Sequence, residues 1–118
     1  MIVQLQCHCH WSSEKQNRIA NLIAERAELI LGNSVAPLVR DLIFVDKLQP
    51  SFQSTLSLIQ PNLKDICLDK RSDSTYRLVL SSETLLSLMT PGAGQARFDE
   101  LITSAKNAIC ESQLYNRT

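Results

Sequence analysis

The sequence predicts an α+β fold: a helix-rich, two-layer domain with a small, mainly antiparallel sheet of two or three strands. Three observations carry that expectation. An N-terminal stretch alternates apolar Val3, Leu5, Cys7, Cys9 and Trp11 with polar Gln4, Gln6, His8 and His10, the period of a strand covered on one face. Two segments, residues 19–30 and 98–109, repeat apolar side chains at helical spacing. Between them, residues 76–80 set Tyr76, Leu78 and Leu80 against Arg77 and Val79, a second strand.

The first strand is well specified in register, because a slip of one residue would turn the histidines inward and Trp11 outward. Ser12 and Ser13 then precede a helix, Ser13 with Gln16 forming a capping-box pattern. Ile19, Leu22, Ile23, Ala27 and Ile30 form its apolar stripe, which Ala20, Ala24 and Leu29 widen. Gly32 and Asn33 supply the stop. From Ser34 the spacing of Val35, Leu38, Val39, Leu42, Ile43 and Leu48 predicts a second helix with Pro37 in its first turn, although the run 42–45 also suits a buried strand.

Phe52, Leu56 and Ile59 form a short helical stripe that Pro61 ends. Residues 64–69 read as a strand in a hairpin with 75–80, the alternative being a helical turn through Leu63, Ile66 and Cys67. Ser81 or Ser82 caps a short helix carrying Leu85, Leu86 and Met89. Thr90, Pro91, Gly92 and Gly94 then break the chain. The last helix spans about residues 95–113 and buries Phe98, Leu101, Ile102, Ala105 and Ile109, with Leu114 as a further candidate.

With 118 residues, 44% of them hydrophobic, and only three glycines and four prolines, residues 1–118 suit one small domain with a real core. Twelve basic and twelve acidic residues cancel, so the general basic excess of a nucleic-acid binder is missing. Neither a secretory leader nor the roughly 20 apolar residues of a membrane span is visible. The expected location is cytoplasmic, with no membrane association. Cys7, Cys9, Cys67 and Cys110 lack the spacing of a secreted disulfide framework and read as reduced thiols.

The densest chemistry is Cys7, His8, Cys9 and His10 in succession. Thiolates and imidazoles are ligands for zinc or copper. A regular strand sends Cys7 and Cys9 to one face and His8 and His10 to the other, however, so each pair needs two further ligands. The same histidines can in principle activate Ser12, Ser13 or a cysteine, but no nucleophile motif accompanies them, which disfavours an enzyme. Residues 90–95 precede a helix and lack the lysine of a phosphate loop. Lys70, Arg71 and Arg77 form a local basic patch beside Tyr76, an alternative nucleic-acid surface in a neutral chain.

Eighteen leucines remain, more than a small core readily hides. They point to a small intracellular protein-interaction or regulatory domain without catalysis of its own, binding a protein partner or a second copy and needing no cofactor. The first strand or the terminal helix is the expected surface. Trp11, Phe52, Tyr76 and Phe98 are its candidate anchors, each also fit for the core.

Overall fold

In the computed structural model the described residues are 1–6, 11–46, 66–71, 73–88 and 93–115; at 86–88, 93–94 and 113–115 only the backbone is described. Strand β1 (Ile2–Gln6) leads to helix α1 (Ser13–Val35), a 3-10 turn (Ala36–Leu38) and strand β2 (Val39–Val45). Strands β3 (Ile66–Lys70) and β4 (Tyr76–Ser81) form a hairpin, followed by helices α2 (Ser82–Leu88) and α3 (Ala93–Tyr115). The sheet order is β1-β2-β4-β3, with β1, β2 and β4 parallel and β3 antiparallel to β4.

This four-stranded, mostly parallel sheet replaces the expected mainly antiparallel sheet of two or three strands, while the helix-rich two-layer arrangement stands. The error lies in one segment. Residues 39–45 form a strand rather than part of a helix. β2 lies between β1 and β4 in the sheet, and Leu42, Ile43 and Phe44, which alternate between its two faces, are all buried. Such a continuous apolar run matches a helical period as easily as a strand. Once β2 is a strand, α1 becomes the crossover of a βαβ unit, and a long crossover enforces parallel pairing.

A register shift between Val39 and Asp41 sets the faces of β2. Arg40 is the extra, exposed residue, so both Val39 and Leu42 reach the core while Asp41 lies on the opposite face. The expected antiparallel hairpin is present, joining 66–70 to 76–81, and its register sets Cys67 opposite Val79 and Asp69 opposite Arg77. Its turn is held by the Arg71 N–H donating to the Thr75 carbonyl at 2.8 Å, with Ser74 at φ 66°. The Asp73 carboxylate accepts from the Thr75 backbone N–H at 3.1 Å.

The core lies on one side of the sheet. Ile19, Ile23, Ala27, Leu31 and Val35 form an every-fourth-residue ridge on α1, against Phe98, Leu101, Ile102, Ala105 and Ile109 of α3 and the inward residues of β2, β3 and β4. Phe98, Leu101, Ile102, Ala105 and Ile109 are in the core as expected, while the Leu114 side chain lies outside the described ones. α1 begins one residue earlier than the capping box suggested. Ser12 is the cap, accepting from the Lys15 N–H at 3.2 Å, while the Gln16 side chain donates to the Trp11 carbonyl at 3.1 Å. Gly32, at φ 80° and ψ 171°, interrupts the helix where a stop was expected, and one further turn follows it. Among the described residues, no helix is long and apolar enough to cross a membrane.

Candidate functional site

The helical ridge that fills the core leaves other apolar positions of α1 outside it. Leu22 and Leu29 are 58% and 73% exposed, although both belonged to the expected apolar side of this helix. They are seven residues apart, two turns or about 10.5 Å along the axis, and share one face. Together with Glu25, Arg26 and Gln95 they border a groove of about 450 Å³ between α1 and the start of α3, whose other lining residues, Ile19 and Ile23, are buried.

One clasp fixes the relation of the two helices at this groove. The Arg26 guanidinium donates from Nε to Asp99 Oδ1 at 3.0 Å and from Nη2 to Asp99 Oδ2, a two-pronged pair between α1 and α3. Asp99 holds Arg26 more firmly protonated than an isolated arginine, chiefly through those hydrogen bonds. Because both side chains remain partly in water, which screens their attraction, the pair adds little to stability. Its larger effect is to hold a charged group beside the apolar stripe.

The opposite face of the sheet is chemically different. Asp41, Arg77 and Asp69 stand in one cross-strand row, and Arg77 makes a loose pair with Asp41 at 3.4 Å. In the next row Ile43, Val79 and Cys67 are buried. Burial pushes the Cys67 thiol pKa up, and the nearby Asp69 carboxylate adds to the rise. That is the opposite of the activation a nucleophilic thiol requires.

The residues singled out in the sequence are placed as follows. Cys7, His8, Cys9, His10 and Phe52 lie outside the described residues, as do Met89 and residues 90–92. Trp11 is half-buried against the edge of the core, with the Lys15 ammonium 5.1 Å from its ring centre. Tyr76 and Phe98 are interior residues, and the Tyr76 hydroxyl donates to Ser112 Oγ at 3.1 Å. A buried ring of this kind has no face on which a base can stack.

Lys70 is exposed and Arg71 half-buried at the hairpin end, but Arg77 faces Asp41, and Arg40 pairs with Asp73 at 3.2 Å. The basic patch is thus interleaved with carboxylates. Ser12 caps α1, its Oγ accepting from the Lys15 N–H. Among the described residues no group of three or more His, Cys, Asp or Glu side chains is placed to hold a metal ion.

Leu22 and Leu29 were missed as a surface because their spacing is compatible with the core stripe. The available signal was the surplus of leucine and an α1 apolar arc wider than one ridge requires. No family model matches the chain, no curated protein matches it, and no solved structure matches it. Among the described residues the geometry is that of a small globular domain with a mixed sheet, one helical layer and a leucine-lined groove between α1 and α3.

Proposed function

We propose that this chain is a small protein-interaction or regulatory domain without catalysis of its own, and that it docks its partner in the groove between α1 and α3. The observation that carries the reading is the pair Leu22 and Leu29, exposed two turns apart on one face at an apolar groove while the adjoining ridge is buried. Covering two leucines removes apolar surface from water, at about 25 cal/mol per Å². The flanking Glu25 and Arg26 supply the polar border typical of a binding patch.

The surface is therefore α1 rather than the first strand or the terminal helix alone. The reading includes an intracellular setting, which rests on the cysteine spacing in the sequence.

The test compares the tagged wild-type chain with L22E/L29E after gentle purification, followed by native mass spectrometry. Both positions are exposed, so the variant should keep its circular dichroism spectrum and melting temperature. The expected result is a stoichiometric partner, of any kind, held by the wild type and lost from the folded variant. An identical set of bound species on both proteins would overturn the proposal, as would none on either.

A further inference from the structure

We infer that the side of the sheet facing away from the helices is a docking surface for residues 47–65 of the same chain, with Phe52, Leu56 and Ile59 seated on Ile43, Val79 and Cys67. This does not rest on docking at α1. It starts from burial that the described helices leave unexplained. Ile43, Val79 and Cys67 form one cross-strand row on β2, β4 and β3, and they are only 6%, 3% and 9% exposed. Side chains alternate along a strand, so this row points away from Leu42, Phe44, Leu68, Leu78 and Leu80, which meet α1, α2 and α3 in the core. The helices account for burial on one side only.

The edge strand supplies an internal comparison. Ile2, Gln4 and Gln6 lie on the same side of the sheet as Ile43, and all three are exposed, Ile2 by 58%. The cover over β2, β4 and β3 therefore stops short of β1.

That footprint matches the path of the chain. β2 leaves the sheet after Val45 and β3 enters it at Ile66, and the pairing of Phe44 with Leu80 and of Leu80 with Ile66 puts both points at one end. They are two strand spacings apart, about 10 Å, a gap that about three extended residues close. Residues 47–65 are a far longer connection, and a route from β2 to β3 crosses β4 with no need to approach β1. The other stretches outside the described backbone, 7–10, 72, 89–92 and 116–118, are too short to reach across this row from the elements they adjoin.

The segment also has the composition of a buried cover. No charged residue occurs from Leu48 to Leu63, in a chain that is 20% charged, and Phe52, Leu56 and Ile59 recur at the spacing of one helix face. Charge resumes on the sheet one row further from the end where this segment leaves, at Asp41, Arg77 and Asp69. Seated in this way, Phe52 anchors the chain to itself and is withdrawn from the anchors open to another protein.

Two measurements on the whole chain test the contact. The first is iodoacetamide labelling of Cys67 in F52Q/L56Q/I59Q, with exposed Cys110 as the reference in the same molecule. Glutamine adds no charge and keeps a fair helix propensity. Cys67 should label at least about tenfold faster than in the wild type, because loosening the cover raises the population in which the thiol is open. Cys110 labelling and the circular dichroism spectrum should stay as they are, since the core on the helix side is untouched.

The second measurement keeps the test decisive if the triple variant does not fold. Phe52 is replaced by p-benzoylphenylalanine, and photo-crosslinks are mapped by tandem mass spectrometry. They should fall within one molecule, on β2, β4 or β3 beside Ile43, Val79 and Cys67. Crosslinks to α1 or α3, crosslinks to a second copy, or no crosslink at all would overturn the inference. So would a folded triple variant in which Cys67 labels no faster than in the wild type.

Discussion

Replacing Gly32 with alanine separates two physical accounts of α1 by sign. Taken as a residue inside a helical segment running from Ser13 to Val35, glycine is unfavourable, and alanine should stabilise the protein by about 1 kcal/mol. The backbone argues the reverse. At φ 80° and ψ 171°, Gly32 occupies a region essentially reserved for glycine, which costs a residue with a Cβ about 1–3 kcal/mol. Space is not the obstacle, since the closest atom to the added methyl would be Lys106 Nζ at 3.9 Å.

Alanine also narrows the unfolded ensemble, which returns about 0.4–1 kcal/mol. The net expectation is a loss of about 1–2 kcal/mol, or a melting temperature lower by roughly 4–12 °C. Urea unfolding followed by far-ultraviolet circular dichroism, which reports helix, measures it directly. The midpoint should fall with an unchanged slope. An unchanged or higher midpoint would refute the argument that Gly32 is held by its conformation.

Two further outcomes are expected. Ser12→Ala should cost about 1 kcal/mol by orphaning the Lys15 N–H, while Ser13→Ala should cost far less; equal losses in thermal melts would contradict the placement of the cap. Cys67 has a raised pKa in the folded chain, so the unfolded chain ionises this thiol first. Its contribution is intact below the unfolded value of about 8.5 and declines as pH rises above it. Cys67→Ala should therefore flatten the alkaline limb of the stability curve, and iodoacetamide mapped by mass spectrometry should label exposed Cys110 before buried Cys67. An unchanged limb, or Cys67 labelled first, would count against its burial.

The buried helix faces and the hairpin were legible in the sequence because their signals are local. A serine cap, a 3.6-residue apolar period and a glycine stop act within a few residues, and they locate the buried face of α1 through Ile19, Ile23 and Ala27. The same holds for Phe98 through Ile109 of α3. Strand pairing across residues 66–81 needs only a short turn rich in polar residues. Even here the detail of the cap depended on which serine hydroxyl could reach the Lys15 N–H, a matter of one residue.

Tertiary structure alone decided the rest. Residues 39–45 carry an apolar run that two periods fit equally well, and only the presence of β1 on one side and β4 on the other makes it a central strand. That non-local fact turns α1 into a crossover and the sheet from antiparallel to mostly parallel. It also decides the candidate site. Leu22 and Ile23 are adjacent in sequence, yet the first faces water and the second the core, because α3 covers only one ridge of α1. Composition by itself determined that leucine was in surplus; which leucines stay outside depends on where the second helix stops covering the first.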